Sequence, residues 1–453
     1  MTSTRSVDQA DIAALRRAVR GSVHRPTDPG YATVGFNVAV AQRPWAVVDV
    51  ADAADVAAVV GFAAANSMTV SVWATGHGAT GVDGHSILVR TTGLDVCEID
   101  PATRTARVGA GVRWQQVLDA ATPLGLAPLC GSAPAVGVVG FLSGGGIGPL
   151  VRTVGASSDH VRSITVVTGN GALIRATPEC NPELFWGLRG GKATLGLIVE
   201  VVIDLLPIPE IFGGALYFDG EQAETVVRGW RRWATELPRE ITSSLALMRL
   251  PAMPGIPEPL GGRLTVAVRV AAVGDPGRAA ELCSGLSALG TPVLGGLGVM
   301  PYARIGEIHA DPTTPMPVVE AGTLLGELGE PAVDALLAEA GPASITGPVI
   351  VEVRMLGGAF ADEPPVRSAL CHRDAAAHLY TVGLAGGPEA TPGAAVLDAL
   401  APWATGGELP NFAASADAVR IRRCYDEDTF AWLAALAAQH DPHGVLHVGQ
   451  VVR

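Results

Sequence analysis

The sequence is poor in positive charge. Of its 453 residues 31 are basic, and Lys192 is the single lysine among them. The 44 acidic residues bring the net charge to −13, and the arginines form no basic cluster. A surface of this kind does not attract the phosphates of nucleic acids or of anionic membranes. We therefore expect neither class of partner, whereas small-molecule substrates stay possible.

Cysteines with metal-ligand spacing and long apolar runs are also missing. The six cysteines are scattered, so we expect free thiols and no metal site. Apolar stretches such as 138–147 are short and interrupted by glycine, which argues against a membrane-spanning helix. Residues 1–15 include Asp8 and Asp11 and no apolar core. We therefore expect no secretory signal and a cytoplasmic location.

The length predicts more than one domain. Residues 16–44, interrupted by prolines, predict an irregular segment. A strand at 46–50, a helix at 53–66 and a strand at 68–73 indicate an α/β unit. Gly169-Asn170-Gly171, after a strand at 163–167, indicates a hairpin turn. After Pro207, strands such as 264–272 alternate with Ala-rich helices, which is typical of an antiparallel sheet backed by helices. We predict a boundary near Pro207. The last stretch carries its own helix, at 429–439, and a closing apolar strand, and the pattern assigns it to neither domain.

A first glycine-rich stretch follows a strand directly, at Trp73-Ala74-Thr75-Gly76-His77-Gly78-Ala79-Thr80. A backbone without side chains lets a phosphate or a flat ring approach main-chain N–H groups. A histidine in such a turn points at whatever is bound there. Taken alone, a histidine such as His77 is more often a turn residue that makes its own hydrogen bonds.

Two further glycine-rich stretches occur at 133–148 and 184–199. The first only loosely matches the GxGxxG pattern, so it predicts either a pyrophosphate nest or a packed turn. In the second, Arg189 and Lys192 stand beside glycines and could serve an anion. The alternative is that the neighbouring Phe185 and Trp186 are core residues and the two charges are solvated.

Together and in this order, the three stretches resemble the berberine-bridge-enzyme-like FAD-linked oxidases of the vanillyl-alcohol oxidase / p-cresol methylhydroxylase (PCMH-type) superfamily. The resemblance covers about 43–203, including a Gly-x-x-x-Asp-x-Val element at 155–161 and the run Phe185 to Gly191. It returns at 356–359, at Asn411-Phe412 and from Tyr425 onward.

The resemblance implies an α+β fold in two domains. An α/β-type, PCMH-type FAD-binding domain would cover 1–207, and a substrate domain at 208–409 would cover the flavin with an antiparallel sheet backed by helices. The segment 410–453 would return to the FAD domain. The residues that it places at FAD are Trp73, Ala74, Thr75, Gly76, His77, Gly78, Ala79, Val136, Gly137, Gly140, Ser143, Gly144, Gly145, Gly146, Gly196 and Ile198.

In this family a loop histidine is bonded to the flavin, and His77 occupies that position. A neutral imidazole nitrogen is a competent nucleophile for such a bond. Many members add a second bond from a cysteine just before the Pro-x-Val-Gly run, where this chain has Ala133; Cys130 lies three residues earlier. We therefore predict a single covalent link through His77. Val136 stands where oxidases of the family commonly carry valine, which favours molecular oxygen as the electron acceptor.

The catalytic positions depart from the family pattern, because Leu409 and Met355 stand where members often have tyrosine. Side chains alternate along the strand 351–355, so Glu352 and Arg354 share one side. We predict them as catalytic residues, a base and a substrate anchor. The alternative is a salt-bridged pair at the sheet surface. Further candidates without a geometric argument are Tyr302, His309, His372 and Tyr380.

The function implied by the resemblance is oxidation of a small organic substrate by hydride transfer to FAD, with reoxidation by oxygen. One alternative is a flavin-dependent oxygenase that acts on a polyketide-like intermediate, as some singly attached members do. Another is a flavin-binding protein without turnover. A nicotinamide dehydrogenase is disfavoured, because the chain has no early Rossmann unit.

Overall fold

The computed structural model describes residues 11–32, 34–344, 347–387, 391–446 and 449–453. The strands are β1 (Ser22–His24), β2 (Ala46–Asp49), β3 (Thr69–Trp73), β4 (Ser86–Arg90), β5 (Cys97–Asp100), β6 (Thr105–Gly109), β7 (Val161–Val167), β8 (Leu173–Ala176), β9 (Leu197–Asp204), β10 (Glu210–Asp219), β11 (Ile241–Met248), β12 (Thr265–Ala272), β13 (Pro292–Pro301), β14 (Val318–Leu325), β15 (Ile350–Met355) and β16 (Ala377–Leu384). The α-helices are α1 (Ile12–Ala18), α2 (Ala53–Ala65), α3 (Trp114–Ala121), α4 (Val138–Leu142), α5 (Val151–Val154), α6 (Pro182–Gly187), α7 (Ala223–Thr235), α8 (Pro276–Cys283), α9 (Glu330–Ala340), α10 (Ala394–Leu400), α11 (Ala418–Arg422) and α12 (Glu427–His440).

The first sheet has the strand order β1-β2-β4-β3, and β2, β4 and β3 run parallel. The connecting helix α2 begins at Asp52, whose carboxylate accepts a hydrogen bond from a main-chain N–H in the first turn. It buries Val56, Val59, Val60 and Ala63, the spacing of one helical face. The predicted α/β unit is therefore present. Because β3 ends at Trp73, the first glycine-rich stretch leaves the carboxyl end of a parallel strand.

The second sheet is antiparallel, with the order β5-β6-β9-β7-β8. Its β7–β8 hairpin turns at Gly169-Asn170-Gly171, as the sequence predicts, and Gly171 has a φ of +82°. Strand β9 ends at Asp204, and the chain passes through Pro207 and Pro209 into β10 of the third sheet.

The third sheet has seven antiparallel strands in the order β13-β10-β12-β11-β15-β16-β14. Since side chains alternate along each strand, the sheet has two faces of different character. One face packs against helices α7 and α9, with Val268, Val353 and Leu379 in a shared core with Trp230 and Leu336. The other face carries Ser244, Arg269, Glu320, Glu352, Arg354, His378 and Tyr380. We call it the polar face, and it positions the site described below.

Two local predictions are wrong. Residues 16–44, expected to be irregular, contain the last residues of α1, a helix that the carboxylate of Asp11 caps, and the strand β1. The closing apolar strand is absent from the described residues 449–453. Instead the main chain at Val445 accepts a bond from Val70 of β3 (2.8 Å), and Arg453 pairs with the buried Asp441 (2.8 Å). His447 and Val448, part of that prediction, lie outside the described residues.

The C-terminal helix α12 packs against α6, where the rings of Trp186 and Trp432 stack with centroids 4.3 Å apart. The return of 410–453 to the first domain and the boundaries at 207 and 409 stay predictions. None of the helices in the described part of the chain combines the length and the apolar composition that a membrane crossing requires.

Candidate active site

A cleft of about 300 Å³ lies between the glycine-rich loops and the polar face of the seven-stranded sheet. The loop after β3 and the segment 131–143 line one side. Glu320, Arg354 and Tyr380 line the other side, and Asn411 and Phe412 contribute as well. A concave site with a few convergent polar groups is the usual form of a cofactor and substrate site.

Most of the residues predicted to contact FAD line this cleft. They are Trp73, Ala74, Thr75, Gly76, His77, Gly78, Ala79, Val136, Gly137, Gly140 and Ser143. A Cβ atom added at Gly78 or Gly140 would meet no atom within 4 Å, so these positions border open space. Gly76 has a φ of +73°, which side chains rarely adopt. The backbone is therefore bare towards the cleft, as the approach of a flat ring or a phosphate requires.

The other predicted FAD positions lie outside the lining of the cleft. They are Gly144, Gly145, Gly146, Gly196 and Ile198. A Cβ atom at Gly145 would lie 2.7 Å from Leu370, and one at Gly146 would lie 2.5 Å from Phe141. At Gly196 it would collide with Val166, and at Gly144 with Lys192 and Asn411. Ile198 belongs to the core of the first half of the chain. These five residues are closely packed beside the cleft, and their contact with FAD stays a prediction.

His77 has the environment of a nucleophile. Its Nδ1 lies 2.9 Å from the hydroxyl of Thr75, and its ring stacks on Phe36 with centroids 4.1 Å apart. Among the described residues no group hydrogen-bonds the buried Nε2. Burial, and secondly the charge of Arg113, lower the pKa of His77 to about 4. The imidazole is therefore neutral at physiological pH, with one buried ring nitrogen left for a ligand.

Cys130 lies outside the lining of the cleft and is 2% exposed. Burial raises the pKa of its thiol to about 12. A thiol that stays protonated is a poor nucleophile. Ala133 instead lines the cleft at the position expected for a second link.

Glu352 requires a correction. It does share one side of β15 with Arg354, but it lies outside the lining of the cleft and is 3% exposed. Its carboxylate accepts hydrogen bonds from Arg354 (2.9 Å), Arg269 (2.8 Å) and Ser244 (2.8 Å). Although burial alone raises the pKa of Glu352, the charges of Arg354 and Arg269 hold it well below its ordinary value. Glu352 is thus a buried anion that positions Arg354, and the predicted role as a base is not supported.

Arg354 lines the cleft, as expected for a substrate anchor. Its Nε and Nη2 are held by Glu352, and its guanidinium lies 5.3 Å from the centre of the Phe412 ring. Burial alone lowers the pKa of Arg354, but Glu352 and then Asp311 raise it above its ordinary value. The guanidinium of Arg354 is therefore a cation in the cleft, and Glu352, which lies outside the lining, holds it in position.

Glu320 is a site residue that the sequence did not reveal. It lies on β14 and accepts a hydrogen bond from the hydroxyl of Tyr380 on β16. Burial raises the pKa of Glu320 above its ordinary value, and this effect exceeds the opposing effects of Tyr380 and Arg420. The pKa of Tyr380 is also held well above its ordinary value, mainly by burial and secondly by the charge of Glu320. The two side chains meet because Tyr380 pairs across the sheet with Gly322, two residues beyond Glu320 on the same face.

Of the two charges in the third glycine-rich stretch, Lys192 reaches the cleft and Arg189 does not. The ammonium of Lys192 donates to the side-chain oxygen of Asn411 and to the carbonyl of Gly140 (3.3 Å). Burial lowers the pKa of Lys192 to about 8. Arg189 is 1% exposed and donates to main-chain carbonyls such as that of Val366 (3.2 Å), so its role is structural.

Three other residues named from the sequence lie away from the cleft. The hydroxyl of Tyr302 donates to the carbonyl of Pro128 (2.6 Å), and His372 lies 2.9 Å from a main-chain carbonyl. His309 is buried beside Glu352, at 3.4 Å, and among the described residues neither of its ring nitrogens has a hydrogen-bond partner. The contacts of Tyr302 and His372 are structural.

The cofactor class follows from comparison with known proteins. Residues 44–177 match the family model described as an FAD binding domain. This stretch is an FAD-binding domain. It includes the His77 loop and the second glycine-rich stretch, which together form one side of the cleft.

Among curated proteins, the (R)-6-hydroxynicotine oxidase of Paenarthrobacter nicotinovorans is 32% identical over 197 residues. The match covers 42% of this chain and 43% of that enzyme, less than half of either. Several fungal relatives match over similarly short stretches and are named FAD-linked oxidoreductase or FAD-dependent monooxygenase.

Solved structures extend the similarity beyond the FAD-binding domain. The 6-hydroxy-D-nicotine oxidase of Arthrobacter nicotinovorans has a TM-score of 0.82 at 23% identity, covering 96% of this chain and 98% of that chain. The berberine-bridge-enzyme-like protein 1 of Physcomitrella patens has a TM-score of 0.80 at 17% identity, covering 97% of both chains. The α+β fold class is thereby confirmed, and the match of residues 44–177 and the FAD-linked relatives agree with the resemblance inferred from the motifs.

Proposed function

We propose that this protein is an FAD-dependent oxidoreductase that removes a hydride from a small organic substrate, with molecular oxygen as the electron acceptor. The observation that carries the proposal is a single cleft with the His77 loop of the FAD-binding domain on one side and Glu320, Tyr380 and Arg354 on the other. When bound, FAD supplies the hydride acceptor, and the protein must bind, orient and deprotonate the substrate.

His77 is the proposed point of covalent attachment. Three properties support this: the side chain lines the cleft, its Nε2 has no partner among the described residues, and the ring is neutral. The bare backbone at Gly76, Gly78 and Gly140 leaves room for the cofactor beside it. A single link is favoured because Cys130 is buried, protonated and away from the cleft.

Glu320 and Tyr380 are the proposed proton acceptor. When a carbon that bears a hydroxyl or an amino group loses a hydride, one proton remains for the protein to accept. The phenol of Tyr380 stays protonated and directs its hydrogen towards Glu320, so the carboxylate of Glu320 is the basic member of the pair. Its raised pKa makes it a stronger base than an exposed carboxylate.

Arg354 is the proposed substrate anchor. Glu352 holds Nε and Nη2 of its guanidinium, and Nη1 has no hydrogen-bond partner among the described residues. A guanidinium fixed in this way orients an electron-rich oxygen of the substrate without losing much conformational entropy. We infer oxygen as acceptor because Val136 lines the same cleft. The names of the small-molecule oxidases among the relatives are consistent with this inference.

The cofactor is tested first, by flavin fluorescence of the denatured protein on an acidified gel. We expect a fluorescent band for the native sequence and for His85→Ala, which changes an exposed histidine outside the cleft, and none for His77→Ala. A yellow native protein without a fluorescent band would refute the covalent link alone. A protein that stays colourless when FAD is supplied would refute the proposed function.

Turnover is tested by anaerobic mixing with a panel of small alcohols, amines and phenols, followed by bleaching of the flavin absorbance. We expect at least one compound to bleach the flavin and oxygen to restore the colour with release of peroxide. The monooxygenase names among the fungal relatives favour oxygen insertion as a second candidate. Label from ¹⁸O₂ that appears in the product rather than in peroxide would identify it. Bound flavin that no compound bleaches would indicate a flavin-binding protein without turnover.

A further inference from the structure

The only lysine of the chain lies in the cofactor cleft. Across the described residues, the ammonium of Lys192 hydrogen-bonds two neutral oxygens, those of Asn411 and Gly140. Among the described residues the thiol of Cys424 acts on the pKa of Lys192, and no carboxylate does. Lys192 is half-buried, and a partly desolvated cation without an anionic partner is unfavourable, so a ligand that carries negative charge would stabilise it.

The backbone at Lys192 supports a functional role for the side chain. Its φ is +55°, a left-handed conformation that glycine adopts readily and lysine does not. The conformation is imposed by the N–H groups of Gly190 (2.9 Å) and Lys192 (3.0 Å), which both donate to the carbonyl of Ser143. A strained position that nevertheless carries a long charged side chain points to a role for that charge at the site.

Asn411 determines which part of the cofactor Lys192 would meet. It receives a hydrogen bond from Lys192, and its neighbour Phe412 packs against Tyr380, at 5.1 Å between ring centroids, and against Arg354, at 5.3 Å. Lys192 is thus linked to the substrate-side groups, next to which the redox-active ring has to lie.

We propose that Lys192 is the counter-charge for the reduced flavin ring and thereby raises the reduction potential of the bound FAD. The inference rests on the proposed function. A hydride brings two electrons and one proton from the substrate to the ring, so the ring gains one negative charge. The ammonium of Lys192 stabilises that charge and not the neutral oxidised ring, which favours reduction.

The test compares the FAD-loaded protein with Lys192→Met, Lys192→Arg and Lys192→Gly. Midpoint potentials are measured by equilibration with redox dyes, and sulfite is the probe for stabilisation of negative charge on the ring. We expect Met and Gly to lower sulfite affinity and the stability of the reduced ring by about tenfold or more, which for two electrons is about 30 mV per tenfold. Arg should retain most of both properties. Gly suits the left-handed backbone, so its effect does not depend on misfolding.

Each result decides between distinct explanations. Unchanged potential and sulfite affinity in Lys192→Met and Lys192→Gly would overturn the inference. Reduced FAD incorporation at an unchanged potential would also overturn it and assign the charge to the diphosphate. An equal drop in potential in all three variants, Arg included, would mean that the shape of the side chain matters and its charge does not. A native protein that fails to bind FAD would refute the proposed function itself, together with this inference.

Discussion

We expect the carboxylate of Glu352 to contribute more to the stability of the seven-stranded sheet than one partner of an exposed ion pair does. The replacement Glu352→Gln keeps the size of the side chain and removes the charge that Arg269 and Arg354 share. Both arginine side chains are largely buried, and Glu352 is the only acidic side chain in contact with either among the described ion pairs. The change therefore leaves two largely buried cations, Arg269 and Arg354, without the carboxylate that both contact.

The expected loss follows from the burial of this cluster. Removing one partner of a buried ion pair costs about 3–5 kcal/mol, because the remaining charge stays desolvated and unpaired. Three hydrogen bonds reach the carboxylate, from Ser244, Arg269 and Nε of Arg354, and Nη2 of Arg354 forms an ion pair with it at 2.8 Å. A glutamine can accept only part of them. We therefore expect a loss of about 3 kcal/mol or more in the free energy of unfolding of the second half of the chain.

The pH dependence of the loss has a definite sign. The folded state holds the pKa of Glu352 well below its ordinary value, which is about 4.3 in an unfolded chain. The stabilisation by the carboxylate is then fully present above that unfolded value and is lost as the pH falls through the folded value. Between pH 6 and pH 8 the difference between the native protein and Glu352→Gln should stay constant.

The measurement is urea unfolding followed by tryptophan fluorescence, to which the buried Trp230 of α7, packed against this sheet, contributes. The matched control is Glu258→Gln, since Glu258 pairs with Arg263 while its side chain is 86% exposed. We expect no measurable change in the control. A loss below about 1 kcal/mol in Glu352→Gln at constant slope would refute the reasoning, because it would mean that the two arginines are hydrated without Glu352.

Two further predictions concern titratable groups. Glu320→Gln should lower kcat/KM by about a hundredfold or more. In the native protein kcat/KM should fall as the pH drops through the raised pKa of Glu320, and this decrease at acid pH should be lost in the variant. Glu327→Gln, at an exposed position, is the control, and an unchanged pH profile in Glu320→Gln would rule out Glu320 as the base. Iodoacetamide at pH 8 should modify the exposed Cys180 of the native protein and leave Cys130 intact, because burial raises the pKa of the Cys130 thiol to about 12. Peptide mapping by mass spectrometry reads both sites, and rapid alkylation of Cys130 would contradict its burial.

Sequence alone determined the features that depend on neighbouring residues. The apolar spacing of 53–66, the turn at Gly169-Asn170-Gly171 and the position of His77 just after a strand are all local, and each lies where it was expected. The order of the three glycine-rich stretches was enough to indicate the FAD-binding domain. Local patterns suffice here because a helix face, a hairpin turn and a bare loop are made by residues close together in the chain.

Tertiary structure alone decided which charged groups face the cleft. Alternation placed Glu352 and Arg354 on one side of β15, yet only strand packing shows that Arg354 reaches the cleft while Glu352 stays behind it. Glu320 and Tyr380 are 60 residues apart and meet through the register of β14 and β16. Lys192 meets Asn411 across 219 residues. The chemistry of this site comes from contacts between distant segments, and no local pattern encodes which of them pack together.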